Sequence, residues 1–247
     1  MIEATYSAVA GMVNQQLMLE VITNNLANVS TSGYKRDELS FSGMLNPLPQ
    51  AEDEIISYSV ANLDTVSATF ATDYSQGNMQ QTDNPLDLAI EGEGFFTIQH
   101  TGGVRYTRSG NFSLNALGQL VTADGRPVLG ENGVIQIQGD QVAVDNAGQI
   151  MVDGNPVAKL RLARFQNPDE LVKAGNNTFV TANAGTTEMP STAEVIQGFV
   201  ELSNVNPIYE MAKMIESMRI FESYQKTAQL VNETLEKANN ELGKISI

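Results

Sequence analysis

The chain contains no cysteine and only one histidine, His100. Without thiols there are no disulfides, no thiolate metal ligands and no cysteine nucleophile, and the redox compartment stays open. His100 precedes Thr101-Gly102-Gly103, a turn-forming run, so an ordinary turn residue is expected there, not half of a metal or acid-base site. Basic residues are scarce: 14 Lys and Arg stand against 29 Asp and Glu, a net charge of −15. Only Lys35-Arg36 are adjacent. That excludes a nucleic-acid surface, which needs clustered cations, and disfavours an anionic membrane on the same ground. No window approaches eighteen uncharged apolar residues, and Met1-Ile2-Glu3-Ala4 carries no basic n-region, so neither a membrane span nor a cleaved secretory signal is expected.

What is present begins with helices at both ends. Asn206-Pro207 reads as a cap followed by proline at the first helical position, and Glu210 is a first-turn acid. Met211, Ile215, Met218, Phe221, Tyr224, Ala228, Val231, Leu235, Ala238, Leu242 and Ile245 then recur three or four apart, which predicts one long amphipathic helix. Its apolar stripe needs a surface of matching length. Residues 2 to about 28 form a second helical pattern through Ala8, Met12, Leu19, Ile22, Leu26 and Val29, with Gln15 as a polar interruption. Residues 30–36, rich in Ser, Thr and Gly, stop that helix. Residues 37–84 lack periodicity and read as an extended connector with one or two short strands.

From Asn84 the pattern turns to short alternating runs punctuated by glycine: 86–91, 94–99 and 103–108, then 158–165, 178–182 and 195–202. Between them lies an internal echo. Gly118-Gln119-Leu120-Val121 and Asp124-Gly125-Arg126-Pro127-Val128 return, one residue shorter, as Gly148-Gln149-Ile150-Met151 and Asp153-Gly154-Asn155-Pro156-Val157. Each Asp-Gly is expected at the centre of a two-residue hairpin turn.

Catalytic readings are weak. Asp87 and Glu91, four apart, would share one strand face as a carboxylate pair. That face is expected to be simply the solvated one. Asp140, Asp145 and Asp153 match no EF-hand spacing and read as turn carboxylates. Gly92-Glu93-Gly94 fails as a dinucleotide fingerprint, because Thr97 takes the third glycine position and a strand follows. Met211, Met214 and Met218 fit a helix-helix core better than a promiscuous binding face. No catalytic, metal or cofactor site is expected, so the residues argue for a structural or assembly protein. Two further readings stay open: a carbohydrate-processing β protein using Asp87 and Glu91, and a secreted adhesion or binding module oligomerised by its helices.

Thr23-Asn24-Asn25-Leu26-Ala27-Asn28-Val29-Ser30-Thr31-Ser32-Gly33-Tyr34-Lys35-Arg36 closely resembles the N-terminal signature of the bacterial flagellar axial proteins that build rod and hook. Asn84 through Phe96 and Tyr106 through Phe112 look like the opening of that family's central domain. Ser203-Asn204-Val205-Asn206 looks like its C-terminal signature. The length fits the family's middle-sized members. The resemblance implies an α+β fold in which the long N- and C-terminal helices pair as a coiled coil beside a central, mostly antiparallel β domain. The implied divisions are 1–36, a connector at 37–84, the β domain at 85–202 and the final helix at 203–247. It further implies a basal-body rod subunit that polymerises through its helices, with copies of itself and other rod proteins as partners. It also implies unfolded passage through the flagellar export apparatus to the periplasm, and termini that order on assembly. The expected assembly residues are Asn24, Asn25, Leu26, Asn28, Gly33, Tyr34, Met211, Met214, Met218, Phe221 and Leu235.

Overall fold

Apolar residues at helical spacing without an internal proline produce α1 at Ile2–Ala27 and α2 at Pro207–Leu242, the latter starting directly after Asn206. At about 1.5 Å per residue they extend roughly 39 and 54 Å. The structure, a computed structural model, describes residues 2–43, 66–139, 141–182 and 186–242. The backbone divides into two units. One contains α1, the strands Asp37–Gly43 and Val66–Thr72, and α2; the other comprises residues 27–36 and 73–206. No described helix is long and apolar enough to cross a membrane.

In the helical unit the two strands pair antiparallel from Asp37↔Thr72 to Gly43↔Val66. Two contacts between the helices stand out among the described residues. Ser217 Oγ donates to Gln15 Oε1 at 2.7 Å, and a Cβ at Gly11 would fall 2.5 Å from the Tyr224 ring. Advancing from Gly11 to Gln15 on α1 retreats from Tyr224 to Ser217 on α2, so the two run antiparallel. The polar interruption at Gln15 therefore has a matching polar residue opposite it.

The β unit owes its plan to two consecutive aromatics. Successive strand residues face opposite sides, and in the strand Phe95–His100 both sides are covered. Phe96 and Ile98 join Leu88, Ile90, Phe112, Leu120, Val128, Ile135 and Ile150 in a mainly aliphatic core. Phe95 faces the other way, into an aromatic cluster with Tyr106, Phe165 and Phe179, where ring centroids lie 4.8–6.1 Å apart in edge-on and tilted contacts. Such pairs contribute roughly 0.5–1.5 kcal/mol each beyond their burial. Phe95–His100 is an inner strand of a six-stranded sheet, beside Gly103–Thr107 on one side and Leu162–Phe165 on the other. All the ladders are antiparallel, and the chain is α+β.

Two expected strands are interrupted. The stretch 195–202 breaks at Gly198, whose φ of +77° suits glycine. Glu194–Gln197 pairs with Leu88–Glu91, whereas Phe199–Glu201 pairs with Met79–Gln81. The stretch 158–165 divides between Asn155–Lys159 and Leu162–Phe165.

The internal echo is real and longer than its sequence match. Asn115 Oδ1 accepts from Leu117 N and Gln119 N, and Asp145 Oδ1 accepts from Ala147 N and Gln149 N in the same way. The hairpins differ. Val152↔Asn155 closes a two-residue loop with Asp153 at φ 50° and Gly154 at φ 80°. In the first copy the extra Ala123 makes the loop three residues long, with Thr122 N donating to Arg126 O and Gly125 alone at positive φ. The two-residue expectation therefore fails at Asp124-Gly125, where one more residue favours a turn ending in the left-handed conformation.

Candidate assembly surface

The expected single stripe on α2 is two stripes. From Glu210 the covered positions run through Met214, Ser217, Phe221, Tyr224, Ala228, Val231 and Leu235, alternating four and three residues apart. On α1 the covered positions include Ala8, Gly11, Gln15, Met18, Ile22 and Asn25, alternating three and four. Ile208, Met211, Ile215 and Met218 form a separate row, 77%, 46%, 55% and 52% exposed. Val9 and Val13 on α1 are exposed as well. Met211 and Met218 thus lie outside the covered row that takes Met214, which corrects their reading as one helix-helix core. The side chains of Ala238, Leu242 and Ile245 lie outside the described residues.

The signature residues fall into two groups. Asn24 is exposed and Leu26 and Asn28 are half-buried. Asn25, 1% exposed, clasps the backbone of one residue in its own unit: its Nδ2 donates to Asp37 O at 2.8 Å and its Oδ1 accepts from Asp37 N at 2.9 Å. Asn28 Oδ1 accepts from Thr31 Oγ1, closing the turn after α1. Gly33 has φ +67°, and any Cβ there would lie 2.4 Å from the backbone of Arg108 and Ser109. Only glycine fits. Tyr34 is buried, with the Lys173 ammonium 4.2 Å from its ring centroid.

Several residues at this junction escaped the sequence reading. Asn204, inside the C-terminal signature, accepts from Arg36 N and donates to Asp73 O, holding three segments together. Glu201 is fully buried. Its carboxylate meets Lys35 Nζ at 2.6 Å and Arg108 Nη1 at 3.3 Å, and accepts from Gly77 N. Burial lowers the Lys35 pKa, opposed by Glu201, and lowers that of Arg108 in the same way. Lone charged residues far apart in the chain carry no sequence signal of such a cluster.

The catalytic alternatives find no support. Asp87 is buried and its Oδ1 takes the Asn111 amide, whereas Glu91 is exposed and lies directly opposite Glu194. The face expected to be solvated is therefore closed at Asp87, which pairs with Asn111 across an antiparallel bridge. Asp145 and Asp153 are turn carboxylates; Asp140 lies outside the described residues. His100 Nδ1 accepts from Gly102 N within its turn. No group of metal-ligating side chains occurs among the described residues.

Three family descriptions match in the order of the chain: Flagella basal body rod protein at residues 6–35, Flagellar hook protein FlgE/F/G D1 domain at 89–152, and Flagellar basal body rod FlgEFG protein C-terminal at 196–241. The flagellar basal-body rod protein FlgG of Bacillus subtilis is 34% identical over 97% of this chain and 99% of its own length. FlgG of Buchnera aphidicola subsp. Baizongia pistaciae is 35% identical over 96% and 98%. The chain belongs to the flagellar basal-body rod protein family. FlgF of Caulobacter vibrioides is 31% identical over 98% of this chain and 99% of its own length, so FlgF and FlgG relatives match comparably. The chain is therefore a structural subunit of the flagellar basal body, in a family of rod proteins and not of enzymes.

Proposed function

We propose that this subunit polymerises through its terminal helices into a rod that carries torque from motor to hook. The covered rows of α1 and α2 pair as an antiparallel coiled coil, with Gln15 and Ser217 fixing register as a polar pair does in an apolar seam. The observation that carries the reading is the second row on α2, Ile208, Met211, Ile215 and Met218, at helical spacing and open to solvent. Neighbouring subunits take that row, together with Val9, Val13 and Asn24 of α1. These seven side chains fall short of the roughly 20–30 residues, about 800 Å² per partner, of a stable complex. A lone pair of subunits therefore stays apart, and binding at a growing end, where several contacts form together, is favoured. A head-to-tail contact that does not close gives an open helical array.

The same reading has the chain cross the flagellar export apparatus unfolded and reach the periplasm. Both termini gain order as neighbours arrive. Asn206-Pro207 and the run Met218-Arg219-Ile220-Phe221-Glu222 favour a proximal, FlgF-type position. A distal, FlgG-type position is the second reading, supported by the identity to FlgG relatives.

Deleting the gene and imaging purified basal bodies tests the proposal. Rods truncated before the distal segment, without hook or motility, are expected. Intact rods with normal motility would overturn it.

A further inference from the structure

The junction in the β unit contains two buried cations and one buried anion. Glu201 lies on the last strand, 166 positions after Lys35, and is the only acid in ion-pair contact with both Lys35 and Arg108 among the described residues. Lys35 Nζ also donates to Ser75 O, and Arg108 donates to Ile90 O and Gly92 O. Gly33 N donates to the backbone oxygen of Glu201 itself, and Leu202 N to Asn78 O. Lys173 Nζ and Asn177 Nδ2, from the 171–181 hairpin, donate to Lys35 O and Ser32 O. The turn that follows α1 is thus seated on a surface whose counterion belongs to the segment that precedes α2.

We infer that Glu201 makes seating of the 33–36 turn conditional on the last strand, so that the chain joins its two signature segments only after strand 199–201 is in place. Before that strand arrives, seating the turn would bury two like charges with no anion. Removing one partner of a buried pair costs more than never having built the pair. The asymmetry is specific. Loss of Lys35 leaves a balanced Arg108–Glu201 pair, whereas loss of Glu201 leaves Lys35 and Arg108 facing each other. This coupling is a property of the single chain and is independent of what the helices assemble with.

The test is amide hydrogen exchange on the full chain, comparing residues 33–36 with the core strands 95–100 and 149–152. In Glu201→Gln, exchange at 33–36 is expected to rise on the order of a hundredfold with the core unchanged. In Lys35→Met it is expected to stay within a few fold of the parent. The double variant Lys35→Met/Glu201→Gln, which has one buried cation instead of two, should fall between. The charged groups facing Lys35 are Glu201, Arg108 and, farther off, Asp73. In Glu201→Gln the loss should therefore diminish as pH rises and Lys35 sheds its proton, after correction for intrinsic exchange. Equal damage from Lys35→Met and Glu201→Gln, unchanged exchange in both, or a pH-independent loss would overturn the inference. If Glu201→Gln fails to fold, the double variant decides: recovery of the fold supports a charge effect, and failure refutes it.

Discussion

The two units bury their apolar residues in opposite manners. In the β unit, Phe95 and Phe96 send adjacent rings into separate cores, and Ile98, Ile150, Phe179 and Val195 are fully covered. In the helical unit, α2 covers one row and leaves Ile208, Met211, Ile215 and Met218 46–77% exposed. The β unit leaves its exposed apolar residues scattered over several strands and turns, such as Val104, Leu117, Val157 and Val172, whereas those of α2 fall in one row at helical spacing. The lesson is that apolar spacing identifies a helix face without saying which molecule covers it.

Substitutions should separate the two behaviours. The largest effect is expected from Ile215→Asp, which puts a charge in the open row. Incorporation into basal bodies, followed by electron microscopy and motility, should be abolished, while the unfolding free energy of the monomer changes by no more than about 0.5 kcal/mol. Marked destabilisation of the monomer would show that the row is already covered. Phe96→Ala should do the reverse, removing about 3–5 kcal/mol from the β unit in urea unfolding through the cavity it leaves. Next comes Gly11→Leu. It gains about 1 kcal/mol of helix propensity, yet must displace the Tyr224 ring. A net loss of roughly 1–3 kcal/mol from overpacking is expected, read as faster amide exchange in both helices with the β strands unaffected.

The smallest effect is a titration. Burial, reinforced by the hydrogen bond to Glu188, pushes the Tyr106 phenol up to about 12. Because the folded value lies above the ordinary value of 10.0, its contribution is whole below pH 10 and fades as pH rises from 10 to 12. Ultraviolet phenol titration should show a late component that is lost in Tyr106→Phe. A late component that survives the substitution would assign it elsewhere.

Much of this architecture was legible in the residues. Proline after Asn206, the unbroken helical spacing and the glycine-bounded strands mark local preferences that tertiary packing left intact. The repeat was visible because Asp-Gly and Gly-Gln recur, yet Ala123 alone changed one turn, since loop length outranks turn composition. The two rows on α2 merged in the sequence because positions three and four apart belong equally to either until a second helix selects one. Asn25 and Asn204 were readable as signature residues, but not as clasps on the backbones of Asp37 and Asp73. Lys35, Arg108 and Glu201 were hidden for another reason: ionic partners separated by more than ninety residues leave no periodic trace.

Such separations have a kinetic consequence. Strands 79–81 and 88–91 wait for partners at 199–201 and 194–197, at the far end of the unit. Loops of a hundred residues must close before those ladders return any enthalpy, a topology associated with folding in milliseconds to seconds, not microseconds. A newly made chain therefore cannot complete these ladders until residues 194–201 have been synthesised.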